Sequence, residues 1–308
     1  MDFSRRRGSP SRLGTDRTTL ASVIGVFDSG FGGLTVLDAM VERLPQYDFL
    51  YLADSARAPY GARSPDVVLR FTQEAVEWLF DQGCPLVVLA CNTASSRALR
   101  TLQRKYLPAH RPDRRILGVV RPSVEALAGL PPGAIPGVTE PTLASGQVAV
   151  LGTETTIGSD SFGLELRKLA PGLQLFQQSC PMWVPLVEAG ELEGPGTDWF
   201  LHRYLDPVLE RHPSRLLLAC THYPLLLSGI RRMVPPEVEI LAQGGLVAER
   251  LEDWLRRHPE MDARLTKAGK VEYTTTDDPD WFSNMGIRFL SRRVEARRVC
   301  LTGEEKGH

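Results

Sequence analysis

Eight short apolar runs, alternating with longer stretches of helical spacing, restrict this 308-residue chain more than any other feature. They read SVIGVF (22–27), DFLYLA (48–53), LVVLAC (86–91), ILGVV (116–120), VAVLGT (148–153), LQLFQQ (173–178), RLLLAC (215–220) and VEILAQ (238–243). A strand with one wet face alternates apolar and polar residues. These runs are apolar throughout, the pattern of parallel strands covered on both faces. Segments 65–82, 197–211 and 245–257 carry apolar residues at spacings of three and four, which predicts helices with one buried stripe. Strand–helix alternation implies right-handed crossovers and an open, mostly parallel sheet. Ligands in such sheets sit beyond the carboxyl ends of the strands, so those ends are where chemistry is to be sought.

The length suffices for two modest domains, and the passage GLPPGAIPG (129–137) marks a loop near a domain change. LVVLACNTAS and RLLLACTHYP share an apolar strand, then Ala-Cys, then two polar residues and a helical pattern, which suggests two related halves. Lys and Arg number 36 against 37 Asp and Glu, so no global field draws in nucleic acid or anionic lipid. No apolar run approaches the roughly 18 residues of a membrane helix. The first twenty residues are polar and rich in Arg and Ser, without the apolar core of a secretory signal, and are expected to form a disordered extension. Five cysteines, an odd and widely spaced set without a CxxC pair, fit neither a disulfide framework nor a zinc site. Free thiols in a reducing cytoplasm are the simplest account.

Cys91 and Cys220 each follow an apolar strand and precede a helical pattern, with Thr93 and Thr221 as candidate N-caps. Unpaired N–H groups and the helix dipole at such a place are expected to lower a thiol's pKa. Asn92-Thr93 and Thr221-His222 offer donors to a carboxylate, and His222 can exchange protons with Cys220. A third strand end carries Asp28 and Ser29, then Gly30, Gly32 and Gly33 before a helix. The spacing G-x-G-G is not a dinucleotide fingerprint, and no Lys-Ser/Thr of a P-loop follows. A small anion with an ammonium group near Asp28 suits these residues better than a nucleotide. Tyr60-Gly61 within APYGARS adds a turn with exposed N–H groups. Cys84, Cys180 and Cys300 are expected to be incidental thiols, and His110, His202, His212 and His258 surface residues. The stretch SRRVEARR (291–298) is expected to be a solvent-facing helix end or tail.

DSGFGGLTV, PYG, ACNTAS, GTETTIGS, CPMWVPLVEAG, ACTHYPLL and EYTTTDDP, in this order, closely resemble the glutamate racemases of bacterial cell-wall synthesis. The resemblance runs from about Val23 to about Phe289, and AQGGLVAERLEDWLRRHPEM (242–261) looks like a pattern of one branch. It implies racemisation at Cα by two bases, without cofactor or metal, supplying D-glutamate for peptidoglycan. It also implies roles for residues. Cys91 would take the proton from D-glutamate and Cys220 from L-glutamate. Asp28 would assist Cys91, and His222 with Glu188 would assist Cys220. Asp28, Ser29, Tyr60, Gly61, Asn92, Thr93, Thr221 and His222 would hold the substrate. This chain departs from the family at Arg121-Pro122-Ser123, where Glu-Pro-Gly is common, at Gly158, and at Thr276-Asp277. The rival functions are an aspartate racemase or related two-thiol enzyme, and a relative that binds without turnover.

The expected architecture is therefore α/β, two pseudo-symmetric domains, each a mostly parallel sheet flanked by helices, with the active site in the cleft between them. Residues 22–118 and 240–300 would form the first domain and 119–239 the second. An extension (1–21) and a tail (301–308) would flank them. A small-molecule substrate is expected, with no nucleic acid or membrane partner. The sequence leaves the oligomeric state open, a homodimer among the alternatives.

Overall fold

The computed structural model describes residues 22–301, so the expected extension (1–21) and residues 302–308 of the expected tail lie outside the described residues. All eight expected strands are present near their expected bounds. They are β1 (Ile24–Asp28), β2 (Phe49–Ala53), β3 (Leu86–Leu89), β4 (Arg115–Gly118), β5 (Gly146–Gly152), β6 (Leu173–Ser179), β7 (Arg215–Ala219) and β8 (Glu239–Ala242). Two further strands follow, β9 (Val271–Thr275) and β10 (Ala296–Arg298).

The strands form two sheets, parallel throughout, with orders β10-β9-β2-β1-β3-β4 and β6-β5-β7-β8. Helices flank both, so the fold is α/β. The second sheet repeats the order of the last four strands of the first, β2-β1-β3-β4. Cys91 and Cys220 follow β3 and β7, which are equivalent strands in that repeat. The echo between LVVLAC and RLLLAC is thus the trace of one supersecondary unit used twice.

Each sheet buries both faces, as its continuous apolar runs require. In β1, Ile24 and Val26 face a cluster with Leu34, Leu37 and Met40 of α1 (Leu34–Arg43). Phe27 faces the opposite cluster, with Val68, Val76 and Leu79 of α2 (Pro65–Asp81). Val148 and Val150 of β5 likewise part from Ala149 and Leu151. Each fully buried side chain of this size contributes about 1.5–3 kcal/mol. After β8 the chain returns to the first sheet. The helix Gln243–Arg257 lays Val247, Ala248, Leu251 and Leu255 on α1, and β9 then pairs with β2.

The stretch 291–298 is not a solvent-facing helix end. Val294 is buried in the first core and Ala296–Arg298 adds an edge strand beside β9. Its charges obscured this: Arg292 and Arg293 point outward to Asp38 and Asp280, while Val294 turns in. Among the described residues, no helix is long and apolar enough to cross a membrane.

Candidate active site

Three strand ends converge, those of β1, β3 and β7. Cys91 is itself the N-cap of α3 (Asn92–Arg97), with extended backbone and its sulfur accepting from the Ala94 N–H at 3.4 Å. Thr93, expected in that role, already lies in the first turn of the helix and cannot cap it. Its Oγ1 instead meets Thr153 Oγ1 at 3.1 Å and Thr156 Oγ1 at 3.3 Å, a contact from one sheet's loops to the other's. Ser29 Oγ lies 3.3 Å from Cys91 Sγ.

Cys220 follows β7 directly and leads into a 3-10 turn, Tyr223–Leu226, which no side chain caps, so Thr221 is not a cap either. Cys220 Sγ is 4.0 Å from His222 Nδ1, and His222 Nε2 is 3.0 Å from Glu188 Oε1. Glu188 sits near the end of the helix Trp183–Ala189, which Gly190 terminates in a left-handed conformation. Arg288 reaches that end from the helix Pro279–Leu290, donating to the carbonyls of Val187, at 3.3 Å, and Glu188. Phe289 beside it packs edge-on against the His222 ring, with centroids 5.3 Å apart.

The sheet registers show how alike the two strand ends are. Phe27 is paired with Leu89, so carrying that register on sets Ser29 opposite Cys91. Gly152 is paired with Ala219, which sets Thr153 opposite Cys220. A hydroxyl residue therefore stands beside each cysteine in the equivalent slot.

Glycine is needed where the two sides touch. A Cβ on Gly32 would overlap Thr221 Oγ1 and lie 2.6 Å from His222 Nδ1. A Cβ on Gly61 would lie 3.0 Å from Thr153 Cβ. Thr35 Oγ1 adds a bond to the Gly32 carbonyl at 2.8 Å and a longer one to that of Thr221 at 3.4 Å.

Asp28 is buried, and its Oδ2 accepts from the Gly30 N–H at 3.0 Å, whereas its Oδ1 is buried without a partner. That oxygen is an open acceptor, suited to an ammonium group. Burial pushes the Asp28 carboxyl up, with the positive charge of His222 pulling the other way. The Tyr60 hydroxyl donates to the Asp54 carboxylate, which also holds Arg57 at 2.7 Å and Thr276 at 2.9 Å. The ring is thereby an anchor for its turn. Asn92 is paired amide to amide with Gln243.

The electrostatics depart from the helix-terminus expectation. Burial pushes the Cys91 thiol up to about 12, the Asp28 carboxylate adds to the effect, and the donors from Ser29 and Ala94 offset only part of it. A short run of N–H dipoles cannot outweigh full desolvation beside another acid. Burial alone would push His222 down, but the hydrogen bonds and charges of Cys220 and Glu188 outweigh it and raise it to about 10. The fold thus holds the Cys91 thiol toward its protonated form and the His222 imidazole toward its charged form.

Among the other cysteines, Cys84 and Cys180 are buried and Cys300 is exposed, and no disulfide joins any of the five. No group of three His, Cys, Asp or Glu side chains among the described residues is arranged to hold a metal ion. A wide cavity of about 850 Å³ lies behind α3, lined in part by Arg97, Arg121 and Arg250, and contains neither Cys91 nor Cys220.

Gln243, Ser123, Thr153, Thr156, Arg288 and Phe289 are neighbours of the site that carried no assignment from sequence. GTETTIGS held one clue, since Thr153 caps a short helix by accepting from the Thr156 N–H at 3.3 Å. The others have no local signal. Their partners lie far away in the chain, from 67 positions for Phe289 and His222 to 151 for Gln243 and Asn92.

No family model matches the chain. It is 40% identical over 273 residues to the glutamate racemase of Ruegeria pomeroyi, a span covering 88% of this chain and 97% of that protein. The crystal structure of a glutamate racemase isoform from Bacillus anthracis matches with a TM-score of 0.79 and 29% identity, covering 91% of this chain and 98% of that one. The glutamate racemase of Francisella tularensis, in complex with D-glutamate, matches with a TM-score of 0.77 and 27% identity over the same shares.

Proposed function

The chain belongs to the glutamate racemase family, and from that premise we propose that it interconverts L- and D-glutamate with Cys91 and Cys220 as two opposed bases and no cofactor. The observation that carries this is the placing of the two thiols after equivalent strands of two sheets that share one strand order. Inversion by proton exchange needs a base on each face of Cα, and a duplicated unit turned upon itself supplies two.

The protonation pattern suggests which way the free enzyme is set. Cys91, pushed up to about 12, carries a proton it can give. Taking a proton is the part of Cys220, with His222 Nδ1 at 4.0 Å as its proton-exchange partner. That arrangement accepts L-glutamate, from which Cys220 removes the α-proton while Cys91 delivers one to the other face. D-glutamate is handled by the reverse transfers. Asp28 holds the ammonium and aids Cys91, and Glu188 orients His222 through Nε2.

Cα–H of an amino acid is a weak acid, so negative charge in the transition state must meet preorganised donors in a site without bulk water. Ser29, Asn92, Thr93, Thr221 and the main chain of Tyr60-Gly61 would hold the two carboxylates. Positioned acid–base groups contribute about 10²–10⁴-fold, leaving the rest to these donors and to exclusion of water. Residues 22–118 with 240–300 act as one domain and 119–239 as the other, closing over substrate. The product feeds peptidoglycan synthesis, and cysteines not joined in disulfides suit a cytoplasmic enzyme.

Circular dichroism of the protein with each enantiomer of glutamate and of aspartate tests this directly, beside Cys91→Ser and Cys220→Ser. Optical activity should decay with glutamate alone and persist in both variants. Deuterium entering Cα from labelled water separates turnover from binding. A wild type that leaves glutamate optically active and unlabelled overturns the proposal.

A further inference from the structure

Two segments that the chemistry leaves unassigned, Arg121-Pro122-Ser123 and the Ala242-Gln243-Gly244-Gly245 start of a helix, meet behind the catalytic loop. Gln243 directly follows β8 and is 2% exposed. Its Oε1 accepts from Asn92 Nδ2 at 2.5 Å, and its Nε2 donates to Asn92 Oδ1 at 3.0 Å and to Ser123 Oγ at 2.7 Å. Ser123 Oγ in turn donates to the Val119 carbonyl at 2.6 Å.

The direction of this chain of bonds is set from one end. A backbone carbonyl only accepts, so the single Ser123 hydrogen is committed to Val119 and its oxygen must accept. The amide nitrogen of Gln243 therefore faces Ser123, and its oxygen faces Asn92 Nδ2. Every polar atom of the Gln243 amide is then used. Asn92 keeps one uncommitted hydrogen, on Nδ2. A flipped Asn92 would set two nitrogens and two oxygens against each other across the pair. It would also turn an oxygen, rather than a donor, toward a substrate carboxylate.

We propose that Gln243 is a positioning residue: it locks the Asn92 amide with its free N–H toward the substrate carboxylate beside Cys91, and it draws that orientation from Ser123 of the neighbouring helix Val120–Leu127. This rests on the assignment of Asn92 as a substrate contact. Losing the lock leaves buried polar groups unpaired and lets Asn92 present the wrong atom. The resulting penalty corresponds to about a tenfold or greater loss of glutamate affinity.

The test is a double-mutant cycle of Gln243→Met and Asn92→Ala, read from kcat and KM in both directions and from glutamate Kd by calorimetry. Gln243→Met should raise KM by about tenfold with a smaller effect on kcat. In the Asn92→Ala background the same change should alter kcat/KM and Kd by less than about twofold, because its route to substrate is gone. Gln243→Glu, which keeps the volume but when ionised cannot donate to Asn92 or Ser123, should reproduce the KM rise, with a lower Tm from the buried carboxylate. It serves as the variant if Gln243→Met does not fold. Equal losses in both backgrounds, or an unchanged KM in a folded variant, overturn the positioning role. A wild type that does not racemise glutamate overturns the functional assignment as well, so the two failures are distinguishable.

Discussion

Replacing Gly32 with alanine puts a methyl group where loops from the two sheets touch. The added Cβ would lie 2.6 Å from His222 Nδ1 and 2.8 Å from Thr221 Cβ. Ordinary contact needs about 3.5 Å, so the loops must part by about 1 Å. Gly32 is not in the left-handed region, so the cost is spatial and not a matter of backbone strain. Overpacking of this kind costs about 1–3 kcal/mol of stability. Function should suffer more. A misplacement of about 1 Å between catalytic groups costs about 10²-fold in rate, and His222 is the group displaced relative to the Asp28 loop. Steady-state racemisation in both directions, followed by circular dichroism, should show kcat/KM lowered by about that factor in a protein that still unfolds cooperatively. Gly245→Ala is the control. Nothing lies within 4 Å of its added Cβ, and alanine in a helix gains up to about 1 kcal/mol. A Gly32→Ala enzyme within a factor of a few of wild type would refute the claim that close approach at this glycine sets the catalytic geometry.

Glu188→Gln removes one of the partners that raise His222. The folded His222 keeps its proton to about 10 against 6.5 when unperturbed, so its contribution to stability is full below about pH 6.5 and is lost as pH rises toward 10. The variant should lose that contribution at lower pH, and the alkaline limb of its kcat/KM profile should move down with it. An unmoved limb means Glu188 does not govern the imidazole. Asp28→Asn removes a charge that helps hold the Cys91 thiol up, so its ultraviolet thiolate titration should start at lower pH than in wild type. Comparison with Asp28→Asn/Cys91→Ser isolates the signal, and a titration unchanged from wild type would sink the proposed coupling.

Much of the fold was legible because it is written in short-range pattern. Short, mostly apolar runs bounded by turn residues fit strands buried on both faces, and eight of the ten strands among the described residues were expected on that pattern. β10 escaped it: three residues within a run of arginines carry too little apolar signal, and only pairing with β9 makes them a strand. The N-caps failed for a related reason. A Thr after a strand is a good cap on average, but where the strand ends in space decided that Cys91 takes the position.

The sequence by itself determined the layered α/β architecture, the two cysteines at repeated strand ends and, through its ordered motifs, the family. Those depend on hydrophobic period and on residue identity, which are local. Tertiary structure decided the protonation of the site and the partners of its polar groups. Cys91 is raised because folding removes it from water beside Asp28, and His222 because folding sets it between Cys220 and Glu188. Gln243 reaches Asn92 across 151 positions of chain, and Arg288 reaches Glu188 across 100. Burial and long-range approach arise only when the whole chain is packed, and no local pattern encodes them.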